Sequence, residues 1–243
     1  MYKRQAYAAA VDALHEPESA LTRRGLLVDG VLDAGLVGAI GLLATPAVAL
    51  DLDVSAGGGR VRAWHRQRAG AVATLATADG IAFELAWFAT EGWSRELGRV
   101  AVVPPELTAG ISSVPDRIDL PYALVDAAAE AARSSRSDLL SVLVTEHAAA
   151  CVGDDGVPLP GLEVVAALGS LVGECRGRLR ALVADVTGET ASVVGVVSWV
   201  LLADGWRALR PRTVDGVERI SAVRVGPADL AAELAPVLAE VVR

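Results

Sequence analysis

The second half of this chain repeats the residue pattern of the first half. Leu36 aligns with Leu168 at an offset of roughly 132 residues, and the offset widens slowly to about 137 further along. A slow drift of this kind is what small loop insertions produce. The remaining matches are Ile40 with Val172, Leu50 with Leu182, Asp53-Val54 with Asp185-Val186, Trp64 with Trp199, Gly70 with Gly205, Asp79-Gly80 with Asp215-Gly216, and Trp93, Leu97 and Val100 with Leu230, Leu234 and Val237. The repeat predicts a helix, four strands and a helix in each half.

Apolar periodicity and turn residues delimit the elements of the two copies. Asp33 is expected to cap a helix over Ala34–Ala44, which Pro46 ends. In the following strand, Asp51 and Asp53 alternate with leucines, so this strand is expected to show one polar face. The expected strands and closing helix of the first copy are Ala47–Val54, Arg60–Arg68, Ala71–Ala78, Ile81–Ala89 and Thr90–Val103. Those of the second copy, after a helix over Leu162–Glu174, are Arg178–Val186, Ala191–Ala203, Trp206–Arg212, Val217–Val225 and Pro227–Val242.

The segment between the copies has no counterpart elsewhere in the chain. Ile111–Leu120 is expected to form a loop, and helices are expected over Pro121–Arg133 and Asp138–Cys151. A further helix is expected over Ala6–Arg24, ahead of the first copy. Residues 1–5 resemble translated adapter sequence, so we expect them to be non-native and the true N-terminus to be missing.

These elements predict an α+β protein. It consists of two pseudo-twofold-related copies of a helix–four-strand antiparallel meander–helix unit, with a helical insert between them. The expected division is an N-terminal repeat subdomain over residues 6–104, a helical connector over 105–160 and a C-terminal repeat subdomain over 161–243, all in one compact protein.

Composition excludes several classes of function. The net charge of −8 disfavours nucleic acid as a partner, because phosphate binding needs clustered basic residues, and it suits a neutral or basic protein partner. Two cysteines do not make a disulfide framework, which fits a reducing, cytoplasmic location. No apolar signal segment is visible at the N-terminus. The uncharged stretch Ala34–Leu50 is interrupted by Pro46, so insertion into a membrane is not expected.

The sequence offers little reactive chemistry. The histidines are His15, His65 and His147, and neither a nucleophile elbow nor a phosphate loop accompanies them. His65 is expected on a solvated sheet face among arginines, and His147 on a helix facing solvent or a partner. The cysteines and histidines do not have the spacing of a zinc site. We therefore expect no catalytic residues, no cofactor and no metal.

One strand suggests a binding surface instead. Ala191–Ala203 is apolar on both of its faces, so one face is expected to pack on helices. The other face packs against the opposite half of the protein or receives a partner. On the second interpretation, Val196, Ser198 and Val200 are candidate partner-binding residues that capture an apolar helix tip.

Four segments resemble EspG-type proteins, the cytosolic chaperones of type VII (ESX) secretion in actinobacteria. They are Leu21–Val54, with its Arg-Gly-Leu and Leu-Leu-Ala-x-Pro, Arg60–Gly80, Val196–Pro211 and the closing helix Pro227–Val242. The resemblance implies a pseudo-twofold α+β fold and binding to PE–PPE heterodimers, whose apolar tip the chaperone shields until export. The family usually carries an additional N-terminal strand and helix, which we expect to be missing from this sequence. Because the interface loops of the family vary, no contact residue is transferred from it.

Two other functions remain open on the sequence. A small-ligand binder or enzyme would place a closed pocket of roughly 300–1,000 Å³ between the halves, with His65 or His147 in it. A plain assembly subunit would dimerise through the same sheet, and light scattering of the isolated chain would distinguish it from a monomeric chaperone. For this chain we expect a monomer or a dimer. The sequence names neither the cargo pair nor the secretion cluster.

Overall fold

The computed structural model describes residues 17–78 and 82–241. Several sequence-based expectations therefore lie outside the described residues: the non-native stretch 1–5, the beginning of the helix expected from Ala6, His15 and the Asp79-Gly80 turn.

Apart from three short strands not predicted from the sequence, the described elements follow the predicted order. The helices are α1 (Pro17–Arg23), α2 (Ala34–Ala44), α3 (Trp93–Val100), α4 (Tyr122–Arg133), α5 (Leu140–His147), α6 (Gly161–Gly173) and α7 (Asp229–Val241). The strands are β1 (Leu27–Val28), β2 (Val31–Leu32), β3 (Val48–Ala56), β4 (Gly59–Arg68), β5 (Ala71–Ala78), β6 (Ala82–Ala89), β7 (Arg117–Pro121), β8 (Gly177–Asp185), β9 (Ser192–Leu202), β10 (Gly205–Val214) and β11 (Val217–Val225). The predicted cap of α2 is confirmed, because Asp33 Oδ1 accepts a hydrogen bond from the amide of Leu36 at 3.0 Å.

Nine strands form one antiparallel sheet in the order β6-β5-β4-β3-β8-β9-β10-β11-β7. The first strands of the two copies, β3 and β8, pair directly at its centre. Leu50 lies opposite Val183, and the next residue, Asp51, lies opposite Leu182. A twofold axis perpendicular to an antiparallel pair relates directly opposed residues, which share a face of the sheet, so Leu50 corresponds in position to Val183. The sequence match of Leu50 with Leu182 is therefore shifted by one residue, because Leu182 lies on the other face. The predicted α+β architecture of duplicated antiparallel meanders is confirmed, and its copies are joined edge to edge.

The sheet has two unlike faces. On the face that carries Leu50, here called the helix-pair face, α3 and α7 lie against each other over the central strands. The core on this side is built from residues of both copies: Leu50, Leu52, Ala63, Trp93, Leu97, Leu179, Ala181, Trp199, Trp206, Leu230 and Leu234. The opposite face, which carries Asp51, is here called the groove face.

In the residues that the structure describes, helices cover only the two flanks of the groove face. The bundle α4–α6 packs on the C-terminal half, burying Val200, Leu202 and Ala222. On the N-terminal half, α2 packs on β4, β5 and β6, with Gly35 so close to Trp87 that a Cβ atom would lie 2.7 Å from its Nε1. The centre of this face remains uncovered between the two flanks in the described part of the chain.

Strand register corrects a second sequence match, that of Trp64 with Trp199. Trp199 lies opposite Leu179, which lies opposite Val54, so Trp199 is on the helix-pair face. Trp64 lies opposite Asp51, so it points to the groove face. Because side chains alternate along a strand, the two tryptophans are not equivalent, although the matched helices α3 and α7 do occupy equivalent positions.

The connector contains a strand where a loop was expected. Residues Arg117–Pro121 form β7, which pairs with β11 at the edge of the sheet. The amide and carbonyl of Asp119 also exchange hydrogen bonds with Val152. A five-residue strand with a proline at its end carries too little alternation to be recognised without its partner strand. None of the helices between residues 17 and 241, leaving aside 79–81, is both long and apolar enough to span a bilayer.

Candidate functional site

A row of mostly apolar side chains crosses the uncovered centre of the groove face. Its members lie directly opposite one another on six neighbouring strands: Leu85, Leu75, Trp64, Asp51, Leu182 and Val196. Residues that are opposed in antiparallel strands point to the same side of the sheet, so the register alone brings these six together. All are at least partly exposed. We call this set the apolar row.

Arginines line one side of the apolar row. The neighbouring row on β4, β3, β8 and β9 is formed by Arg62, Asp53, Arg180 and Ser198, and the next by Arg60, Ser55 and Arg178. We call these two sets the arginine rows. The exposed Phe83 extends the aromatic surface on β6, since its ring centroid lies 6.3 Å from that of Trp64.

Between the rows the sheet surface forms a groove of about 270 Å³ that opens to solvent. Its lining residues are Asp51, Leu52, Asp53, Arg62, Trp64, Arg180 and Leu182. The groove straddles the β3–β8 pairing and therefore belongs to both copies. It is not the closed cavity expected of an enzyme pocket, and in the described part of the chain none of its lining residues is a histidine.

The carboxylates of the groove are already paired. Asp53 binds Arg60, whose Nε lies 2.8 Å from Oδ1, and Arg62 Nε lies 3.5 Å from its other oxygen. The hydrogen bond from Arg60 and the charge of both arginines hold the pKa of Asp53 below its ordinary value, against the effect of burial. Asp51 binds Arg66 at 2.7 Å. The Asp53 carboxylate therefore remains ionised at neutral pH, and each of the two carboxylates holds an arginine in place.

The arginines of the second copy differ from those of the first in their pairing with carboxylates. Arg178 and Arg180 are exposed on β8. Within residues 17–78 and 82–241, no carboxylate lies within 4.0 Å of either guanidinium group. The arginine rows consequently carry an excess of positive charge on a chain whose net charge is −8.

The structure separates the three residues predicted to bind a partner. Val196 is 41% exposed and continues the apolar row beyond Leu182. Ser198 is partly exposed beside Arg180 in the arginine rows. Val200 is only 8% exposed, because it packs in the core beneath the bundle α4–α6, so it is not available to a partner.

Sequence reasoning missed the other members of the groove. Trp64, Arg180 and Leu182 come from different strands and meet only through the pairing of β3 with β4 and β8. The alternation of Asp51 and Asp53 with leucines did indicate a polar face on β3. In the structure, this polar face of β3 lines the groove.

The histidines lie elsewhere. His65, expected on a solvated face, is 1% exposed on the helix-pair face, which corrects that prediction. Its Nδ1 accepts a hydrogen bond from Trp93 Nε1 at 3.1 Å and lies 2.8 Å from the Thr74 hydroxyl. Burial, supplemented by the charges of Arg66 and Arg99, lowers the pKa of His65 to about 4. His147 ends α5, on the opposite side of the sheet.

A larger recess at the edge of the sheet offers less to a partner. Its volume is about 530 Å³, and it lies between β11 and the segment before β7. Arg224 there pairs with Asp116 at 3.0 Å and with Asp204 at 3.3 Å, while Asp229 accepts the amide of Gly226. Because these charges satisfy one another and no apolar row adjoins them in the described residues, we regard the groove as the candidate site.

Comparison with known proteins agrees with this architecture. No family model matches the chain, and no curated protein matches it. Among solved structures, the chain is similar to one of the Mycobacterium tuberculosis type VII secretion system chaperone EspG5 in complex with a PE25-PPE41 dimer. The TM-score is 0.66 and the sequence identity is 13%. The match covers 93% of this chain and 84% of the matched chain. At this identity the likeness concerns the fold, so the chain has an EspG-type fold and the resemblance seen in its sequence is confirmed at that level.

Proposed function

We propose that this protein is a chaperone of type VII secretion that binds a PE–PPE heterodimer and keeps it soluble for export. The similar structure is that of a chaperone in complex with a PE–PPE dimer, which supports this class of partner. The protein acts in the cytoplasm, by binding and not by catalysis, and it binds its cargo as a monomer or a dimer.

One observation carries the proposal. The apolar row leaves partly exposed apolar side chains on five strands of a sheet whose flanks are covered by helices. Trp64 and Leu182 lie on either side of Asp51 at its centre. Apolar side chains held on a rigid sheet suit a partner that brings its own apolar surface. We propose that this row shields the apolar tip of the cargo.

Co-expression tests the proposal. The chain is expressed with a PE–PPE pair encoded beside its own gene, and a soluble ternary complex is expected on gel filtration. Val196→Asp is expected to abolish the complex, because it places a carboxylate in the apolar row. Val217→Asp is the matched control: Val217 is also an exposed strand valine, 51% exposed against 41% for Val196, but it lies at the β10–β11 turn.

The outcomes are distinct. Loss of the complex with Val196→Asp but not with Val217→Asp supports the proposed function and its location. Absence of a complex with every neighbouring PE–PPE pair would contradict the function. If the complex still forms with the Val196→Asp variant and also with the Trp64→Ala variant, the groove is not the binding site of the cargo.

A further inference from the structure

The charge in the arginine rows is distributed unequally between the two copies. Asp53 lies between Arg62 on β4 and Arg180 on β8 in the sheet register, yet its carboxylate binds the two arginines of β4. The carboxylate of Asp53 therefore points towards β4 of the first copy and away from Arg180. Arg178 and Arg180, on the second copy, are left facing solvent without a counter-charge in the described residues.

The spacing of these groups defines a linear pattern. Arg178, Arg180 and Leu182 are alternate residues of β8, so all three point to the groove face. With a rise of about 3.3 Å per residue, successive side chains are about 7 Å apart along the strand. A partner that lies along β8 therefore meets two guanidinium groups and then an apolar side chain.

An α-helix can match this pattern. Residues four apart on a helix lie on one side and are separated by about 6 Å along its axis, because each residue rises about 1.5 Å. Carboxylates at positions i and i+4 would reach Arg178 and Arg180. An apolar side chain at i+8 would then lie over Leu182, next to Val196.

We propose that the groove binds a helical segment of its partner that presents two carboxylates one turn apart, followed by an apolar residue after the next turn. This proposal rests on the proposed function, since it specifies the part of the cargo that the groove recognises. The guanidinium groups provide planar, forked donors that match carboxylates, and the apolar row provides the area that excludes water.

Charge complementarity favours an acidic protein segment over a nucleic acid. Arg178 and Arg180, which have no carboxylate partner among the described residues, would neutralise only two phosphates, whereas nucleic-acid binding uses an extended basic surface. The paired carboxylates Asp51 and Asp53 lie in the same groove and would repel a phosphate backbone. A single acidic turn can lie along β8 beside these anions, because only one side of it needs to contact Arg178 and Arg180 and both aspartates are already paired with arginines of β4.

The test uses the whole chain, the co-expressed PE–PPE pair and a defined probe. The probe is a fluorescent alanine-based helical peptide with Glu at i and i+4 and Leu at i+8, and its partner peptide carries Lys at both Glu positions. Binding is followed by fluorescence anisotropy at low and at about 0.15 M salt. We expect the Glu peptide to bind at least about tenfold more tightly than the Lys peptide, with a difference that shrinks as salt rises.

A double charge reversal, Arg178→Glu with Arg180→Glu, is expected to invert this preference and to weaken cargo binding at least about tenfold. The matched control is Arg95→Glu, because Arg95 is exposed on α3, on the opposite face, and has no carboxylate partner in the described part of the chain. Arg178→Gln with Arg180→Gln removes the charge without reversing it and should abolish the preference. Circular dichroism confirms that each variant is folded.

The results separate the two proposals. If the cargo pair binds wild type and the reversed variant equally, the charge recognition is wrong while the chaperone function stands. If no cargo pair binds, but the Glu peptide binds and depends on both arginines, the recognition stands and the assigned function is wrong. Equal binding of both peptides, or tighter binding of single-stranded oligothymidine than of the Glu peptide, would overturn the charge recognition.

Discussion

Trp93 Nε1 donates a hydrogen bond to His65 Nδ1 at 3.1 Å and thereby ties α3 to the centre of β4. Because Nδ1 accepts this bond, the ring is neutral and carries its proton on Nε2. The rings are close as well, with centroids 6.1 Å apart. This histidine is thus a structural residue of the helix-pair core, and its protonation is coupled to folding.

Folding stability is expected to fall as the pH drops from about 6.5 to about 4. The unfolded histidine takes up a proton near pH 6.5, whereas the folded one does so only at its lowered pKa of about 4. Between these values the unfolded state binds more protons, so the free energy of unfolding decreases, by up to about 3 kcal/mol from this residue. Above pH 6.5 both states are neutral and the contribution is constant.

Urea unfolding of wild type and His65→Gln between about pH 7.5 and pH 4.5 checks this expectation. The glutamine variant should show a smaller loss of stability over this range, whatever its absolute stability. An equal loss in both proteins would show that His65 does not titrate as its burial requires.

The buried ion pair of Arg207 and Asp204 is expected to be sensitive to removal of the carboxylate. Arg207 is 0% exposed, and its Nη2 lies 2.9 Å from Asp204 Oδ2 and 3.0 Å from the carbonyl of Val114. Asp204→Ala leaves this guanidinium buried without its counter-charge, which costs about 3 kcal/mol or more. Asp116→Ala, at a mostly exposed carboxylate paired with Arg224, should cost less than about 1 kcal/mol. Denaturant unfolding compares the two, and similar losses would contradict the prediction.

Gly195 allows α7 to approach the sheet. A Cβ atom at this position would lie 2.6 Å from Val237 Cγ1. Gly195→Ala is therefore expected to destabilise the protein by about 1–3 kcal/mol through overpacking, and Val237→Ala in the same chain should restore part of the loss. Gly173→Ala at the end of α6, where a Cβ atom meets nothing within 4 Å, is the control. Additive effects of the two substitutions in thermal unfolding would exclude the proposed contact.

Two valines of β9 should respond differently to the same substitution. Val200→Asp buries a charge beneath α4–α6 and is expected to destabilise the protein by more than about 3 kcal/mol or to prevent folding. Val196→Asp is on an open surface and should change stability by less than about 1 kcal/mol. Chemical unfolding measures both, and comparable destabilisation would mean that Val196 is not accessible to a partner.

The sequence identified elements best where periodicity and turn residues agree. The predicted bounds of α2 and β11 match the structure, as does the cap at Asp33. Prediction from the sequence was less accurate where an element forms only through contact with a residue or strand that is distant in the chain. Strand β7 exists because β11 pairs with it, and His65 is buried because α3 brings Trp93 over it. The subdomain limits at 104 and 161 stay a prediction.

The sequence by itself determined the order of the elements, the duplication and the alternation of Asp51 and Asp53 with leucines, since local periodicity records these features. Only the tertiary structure decided which residues form the groove. Trp64, Leu182 and Val196 belong to three strands, and a change of one residue in register would move any of them to the other face of the sheet. Register is fixed by long-range pairing and by the helices that cover each face, and neither is written in any single segment of the chain.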